Sequence, residues 1–150
     1  MGTRSRIAIR NDQTFDSIYC HWDGYPSHVG RILRDHYDTE EKVRALIALG
    51  DISSLGEKIG KKHDFEDRTH RDWTTAYGRD RGETDVEAKH SADLDALMLL
   101  TQDTGGEWLY VFTGHGWQCA EGGIAFFGMP ADKPPEGLES IDYWLQKGQE

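Results

Sequence analysis

The chain predicts one α+β domain: an antiparallel or mixed sheet carrying three to four helices. Three observations lead there. Strand-like alternation of apolar and polar residues occupies both ends of the chain, with helical stripes between them. The strand-like segments are joined by short turn signals, which suits hairpins better than the regular strand–helix alternation of a doubly wound parallel sheet. At 150 residues with five Trp, six Tyr and five Phe, the chain has the length and the large side chains for one core.

Residues 4–10 alternate, Ile7 and Ile9 to one side and Arg6, Ala8 and Arg10 to the other, as in a strand with one buried face. Asn11, Asp12 and Gln13 form a turn. Residues 15–22 are β-rich, with Ile18, Cys20 and Trp22 on one face and Ser17, Tyr19 and His21 on the other, so the two segments make an opening hairpin. Asp23-Gly24-Tyr25-Pro26 breaks it. Ser27 then caps a helix that lines up Val29, Ile32 and Leu33 with His36 or Tyr37. Asp38 opens a second helix with Glu41 three residues on, an apolar stripe of Val43, Leu46 and Ile47, and Gly50 beyond its end.

Residues 57–90 carry charges of both signs and few aliphatics, and read as a long polar surface excursion with a short strand around 73–77. Ser91 caps a helix bearing Leu94, Leu97 and Met98, although a strand over 96–101 is a rival reading. Residues 107–113 form a strand that returns through Gly114-His115-Gly116 into 117–120. A short apolar run at 124–127, an irregular crossing at Pro130, Pro134 and Pro135, and an amphipathic helix at 138–147 complete the domain, which spans residues 1–150.

The formal charge of −10 disfavours direct binding of nucleic acid, because the surface as a whole repels phosphate. An anionic ligand would need a local cluster of arginines and N–H groups, and solubility alone also accounts for the acidity. No apolar run approaches the ~20 residues of a membrane span. The first residues lack a signal-peptide pattern, so a cytoplasmic location is expected, with Cys20 and Cys119 as free buried thiols. Neither cysteine belongs to a CxxC, and the seven histidines are scattered, so no metal site and no cofactor is expected.

Three residue sets are candidates for ligand contact. The first is His21, Trp22, Asp23 and Tyr25, where a strand ends ahead of a helix N-terminus; His21 and Asp23 share strand parity and can face one ligand. The plain alternative makes Trp22 core and Asp23-Gly24 a turn. The second is Tyr77, Arg79 and Arg81, a ring to stack on a base and two guanidinium groups to clamp a phosphate. Its alternative is a salt-bridged hairpin in which Asp80, Glu83 or Asp85 neutralises the arginines. The third is His115 and Trp117 around the glycine turn, which a simple hairpin explains equally well. Templates for serine hydrolases, zinc proteases, dinucleotide binders, P-loops and kinases are missing. His63 and His70 suit a hydrolytic site, but nothing near them in the sequence orients them. No catalytic residue is assigned.

The segments MGTRSRIAI, IYCHWDGYPSHVGRIL, KVRALIALGDISSLGE and TAYGRDRGE resemble a family of small proteins of bacteriophages and bacterial mobile elements. The likeness is good to about residue 57, fair over 73–83 and loose over 108–118. It implies an accessory protein that disarms host immunity by capturing a nucleotide signal, by cleaving one, or as an acidic decoy for a nucleic-acid-binding protein. Taken with the candidate residues, the leading expectation is a non-enzymatic, homo-oligomeric binder that sequesters a small anionic, nucleotide-like ligand. The alternatives are a nucleotide hydrolase using His21, Asp23 or His115, and an acidic protein-interaction inhibitor.

Overall fold

The computed structural model describes residues 3–66, 69, 72–114, 116–121 and 139–140. The opening hairpin forms as the alternation requires: β1 (Ser5–Asn11) pairs antiparallel with β2 (Thr14–Cys20) across a two-residue turn in which Asp12 takes φ 60°. The chain then enters a π-helical turn, Pro26–Gly30, that runs directly into α1 (Arg31–His36). The helix therefore starts at Pro26 rather than after a Ser27 cap. Proline's fixed φ suits a first helical residue, and Tyr25 precedes it in extended conformation without a side-chain cap.

α2 (Glu40–Ala48) is capped by Thr39, whose Oγ1 accepts the Lys42 N–H, whereas Asp38 pairs with the Lys42 ammonium at 3.3 Å. Gly50 follows at φ 77°, the left-handed conformation that ends helices.

The stretch expected as a polar surface excursion with one short strand contains several short elements. β3 (Ile52–Ser54) precedes it, and β4 (Thr75–Ala76), α3 (Tyr77–Arg81) and β5 (Lys89–Ser91) lie within or at its end. Only two residues of the strand expected at 73–77 are strand, and Tyr77 already starts a helix. Ser91 belongs to β5, and Asp93 caps α4 (Leu94–Asp103) by accepting the Ala96 N–H at 2.8 Å. The helical reading of this segment therefore prevails over the strand. β6 (Trp108–Phe112) and β7 (Trp117–Glu121) form the second hairpin. Glu139 and Ser140 form β8 against β7, where a helix was expected to begin. The rest of that helix, at 141–147, and the run at 124–127 lie outside the described residues.

The result is an α+β fold with a mixed sheet in the order β4-β3-β2-β1-β6-β7-β8, parallel at β1–β6 and β2–β3 and antiparallel elsewhere. One face of the sheet presents Ile7, Ile9, Ile18, Cys20, Tyr110 and Phe112 to Val29, Leu33, Val43, Leu46 and Ile47. The other presents Ala8, Phe15, Leu109 and Val111 to Leu94, Leu97 and Met98 of α4. Among the described residues no helix is long and apolar enough to cross a membrane.

The outer edge of β2 is shared. β5 pairs with Phe15 to Ser17 and β3 with Cys20, which leaves the Tyr19 N–H between them. Asp51 closes this gap: its Oδ1 accepts that N–H at 2.9 Å, and its own backbone binds Val86 and Tyr77. Burial raises the Asp51 carboxyl above its ordinary pKa, against the lowering effects of that hydrogen bond and of Arg6. The fork steers β3 alongside the residues that follow β2, and there the cavity forms.

Candidate functional site

Past its last strand residue, β2 continues alongside β3: the His21 N–H donates to the Ile52 carbonyl at 3.2 Å and the Trp22 N–H to the Ser53 carbonyl at 3.0 Å. Asp23 then turns the chain at φ 56°. That left-handed conformation costs a non-glycine residue roughly 1 kcal/mol or more, least for Asp and Asn. The surroundings hold it. The Gly24 N–H donates to the Thr3 carbonyl at 2.8 Å, and the buried Tyr110 hydroxyl donates to the Gly24 carbonyl at 2.6 Å. A Cβ at Gly24 would lie 2.7 Å from Ser5 Cβ, so glycine is required for the corner to sit this close to β1.

The corner borders a cavity of about 520 Å³, lined by His21, Trp22, Asp23, Ser53, Ser54, Phe65, Glu66, Thr75, Tyr77 and Arg81. That volume is within the ~300–1,000 Å³ of small-molecule sites. It opens where the parallel strands β2 and β3 end, the position at which α/β sheets bind ligands.

The walls differ in character. Trp22 is 42% exposed and stands edge-on to His21, with ring centroids 4.7 Å apart. His21 Nδ1 lies 2.7 Å from the Tyr19 hydroxyl, which fixes the imidazole, and burial raises the Tyr19 phenol above its ordinary pKa. Across the cavity Phe65 stacks on Tyr77, and the Arg81 guanidinium lies 4.4 Å from the Phe65 centroid and 5.2 Å from that of Tyr77. Arg81 Nε and Nη2 share Glu83 Oε2 at 2.7 and 2.6 Å, and the side chain is half exposed. Burial also raises the Tyr77 phenol, partly offset by a hydrogen bond with the Ser53 side chain.

Five of the nine residues singled out from sequence thus share one cavity: His21, Trp22, Asp23, Tyr77 and Arg81. The others lie elsewhere. Arg79 turns inward, giving Nε and Nη2 to Asp80, Nη1 to the Ile59 carbonyl at 2.8 Å and Nη2 to the Thr74 carbonyl at 2.6 Å. With these bonds made it is an internal tie rather than a phosphate clamp. Tyr25 is 39% exposed and packs near His28, away from the cavity lining. Trp117 is 6% exposed in the core, its Nε1 donating to the Tyr37 carbonyl at 2.8 Å. His115 lies outside the described residues.

Ser53, Ser54, Phe65, Glu66 and Thr75 were not anticipated as lining residues, and His63, noted in the sequence only as suited to a hydrolytic site, lies behind Thr75. They sit on elements of three residues or fewer, or on loops, where no periodicity points inward.

Among the described residues, no three His, Cys, Asp or Glu side chains converge as a metal site would require. Cys20, buried behind the corner, has its thiol pushed up to about 12 by burial, which makes it a packing group and not a nucleophile. Comparison with family models, with curated proteins and with solved structures gave no match.

Proposed function

We propose that the cavity binds and sequesters a small anionic, nucleotide-like ligand, in keeping with an accessory phage protein that antagonises a host signal. The observation that carries this reading is the juxtaposition of an exposed indole on a pinned corner with a guanidinium held over two aromatic rings. Each part matches one part of a nucleotide. Trp22 offers a flat face to a base. Asp23, an exposed carboxylate, accepts hydrogen bonds from sugar hydroxyls. Arg81 Nη1, which makes no hydrogen bond among the described residues, is available to a phosphate oxygen. The corner is fixed before binding, so little ordering entropy opposes capture.

A thermal-shift panel of mononucleotides, dinucleotides and cyclic dinucleotides tests the reading. At a hundredfold excess over Kd, a ligand adds about 2.7 kcal/mol, which for this chain length is roughly 5–10 °C in Tm. Trp22→Ala and Arg81→Ala should each remove the shift and leave the unliganded Tm within about 2 °C, since both side chains are substantially exposed. Glu83→Gln should tighten binding about two- to fivefold by releasing Arg81 from an exposed ion pair. A panel without any shift, or shifts insensitive to all three changes, sinks the proposal.

A further inference from the structure

Behind the cavity wall lies a hydrogen-bonded chain that ligand capture alone does not use. His63 Nδ1 is 2.7 Å from the Lys61 carbonyl oxygen. A carbonyl only accepts, so Nδ1 carries the proton, and in the neutral ring Nε2 is an acceptor. Nε2 lies 3.3 Å from Thr75 Oγ1, which must therefore be the donor in that contact. Asp80 Oδ1 is 3.5 Å from the same Nδ1 and accepts the His63 backbone N–H at 3.1 Å. The His63 side chain is 6% exposed and packs edge-on against Trp73, so its orientation is set on every side. Thr75, 8% exposed, lines the cavity together with Arg81 and His21. A hydroxyl, a base aimed at it and a carboxylate behind the base make up the set that activates hydroxyl nucleophiles on unrelated folds.

The geometry points to Thr75 Oγ1 as a nucleophile toward the phosphorus of a phosphoric ester bound in the cavity, with His63 as its general base. The inference rests on the nucleotide-binding part of that reading and puts cleavage of the captured ligand in place of its sequestration. In the first step Oγ1 forms a bond to phosphorus while the bond to the leaving oxygen breaks. The hydroxyl proton passes to His63 Nε2 and from there to the departing alkoxide, which leaves as an alcohol. Arg81 faces the negative charge on the phosphoryl oxygens. In the second step water attacks the threonine phosphoester and gives a proton to Nε2; the phosphorus–Oγ1 bond breaks, and the departing Oγ1 takes that proton back from Nε2, restoring both the hydroxyl and the neutral imidazole. Asp80 and the Lys61 carbonyl are positioning groups that hold the ring. Asp80 is itself held by Arg79 at 3.0 Å, so its part is to orient the imidazole.

The full-length chain is incubated with bis(p-nitrophenyl) phosphate and with the p-nitrophenyl ester of thymidine 5′-monophosphate. Expected are release of nitrophenolate and, after acid quenching, a mass increment mapping to the peptide that contains Thr75. Thr75→Val, nearly isosteric, should lower release at least about a hundredfold, whereas Thr75→Ser stays within about tenfold of wild type. His63→Gln should abolish the acid limb of the pH–rate profile, which loss of packing alone would not do. Should a histidine variant not fold, the Thr75 pair still decides. Equal release by wild type and Thr75→Val overturns the inference, as does adduct on another residue. Wild type that shows a nucleotide thermal shift but neither releases nitrophenolate nor gains mass keeps the binding reading and removes this one. Absence of both shift and release removes both.

Discussion

Asp80 accepts four hydrogen bonds, from the N–H groups of His63 and Ala76 and from Nε and Nη2 of Arg79, at 2.8–3.1 Å. Burial acts to raise its carboxyl, but the bonds from Arg79, Ala76 and His63 outweigh that and hold it below the ordinary carboxylate range. A carboxylate with a lowered folded pKa contributes stability above its unfolded pKa of ~3.9 and loses it as pH falls through the folded value. Asp80→Asn keeps the shape and removes the charge, leaving Arg79 partly buried without its partner. The expected cost is about 3–5 kcal/mol at neutral pH, read by urea denaturation, with the difference from wild type narrowing in acid. A cost under about 1 kcal/mol would mean that Arg79 finds the Ile59 and Thr74 carbonyls sufficient.

Among the elements, the corner between β2 and the π-helical turn governs the site. Gly24→Ala places a methyl against Ser5 and the Thr3 carbonyl, and the corner must move to accept it. About 1–3 kcal/mol of stability should be lost, and nucleotide binding should weaken by more than the fall in Tm explains, because the shift carries Trp22 away from Arg81. Isothermal titration at a temperature where both variants are folded separates the two effects. The same corner marks how far local sequence reasoning reaches. The β1–β2 hairpin, α2 and the β6–β7 hairpin were legible because each repeats its period over several residues and ends on a recognisable turn or cap. β3, α3 and β5 were not, and β4 only as a longer strand, since two to five residues do not establish a period and tertiary pairing alone selects their conformation. The site divides along the same line. Trp22 and Arg81 were legible as chemistry, and their meeting in one cavity follows from the fork at β2. Arg79 was misjudged as a clamp because only the fold of α3 turns it inward, and His63 lacked an orienting partner until that loop was seen beside Asp80.

For the molecule as a whole, a net charge of −10 sets the terms on which an anion arrives. At 0.01 M ionic strength the field extends ~30 Å and repels the ligand; at 0.15 M it is cut to ~8 Å, leaving the local attraction of Arg81. Stopped-flow tryptophan fluorescence should therefore show association rates that rise with salt over this range, the reverse of a steered encounter. A rate that falls with salt would show that the cavity field outweighs the global one. The same strand flank that turns Arg79 inward also governs self-association. At β4 and the residue before it, the Thr74 N–H is bound by the Lys58 carbonyl, the Thr74 carbonyl by Arg79 and the Ala76 N–H by Asp80. The Lys58 carbonyl and the side chains of Arg79 and Asp80 thus already hold three groups that an incoming peptide would use to extend the sheet. Copies of this chain that meet at this border find these three positions already taken, which disfavours fibril growth by strand addition there without any cover from another subunit.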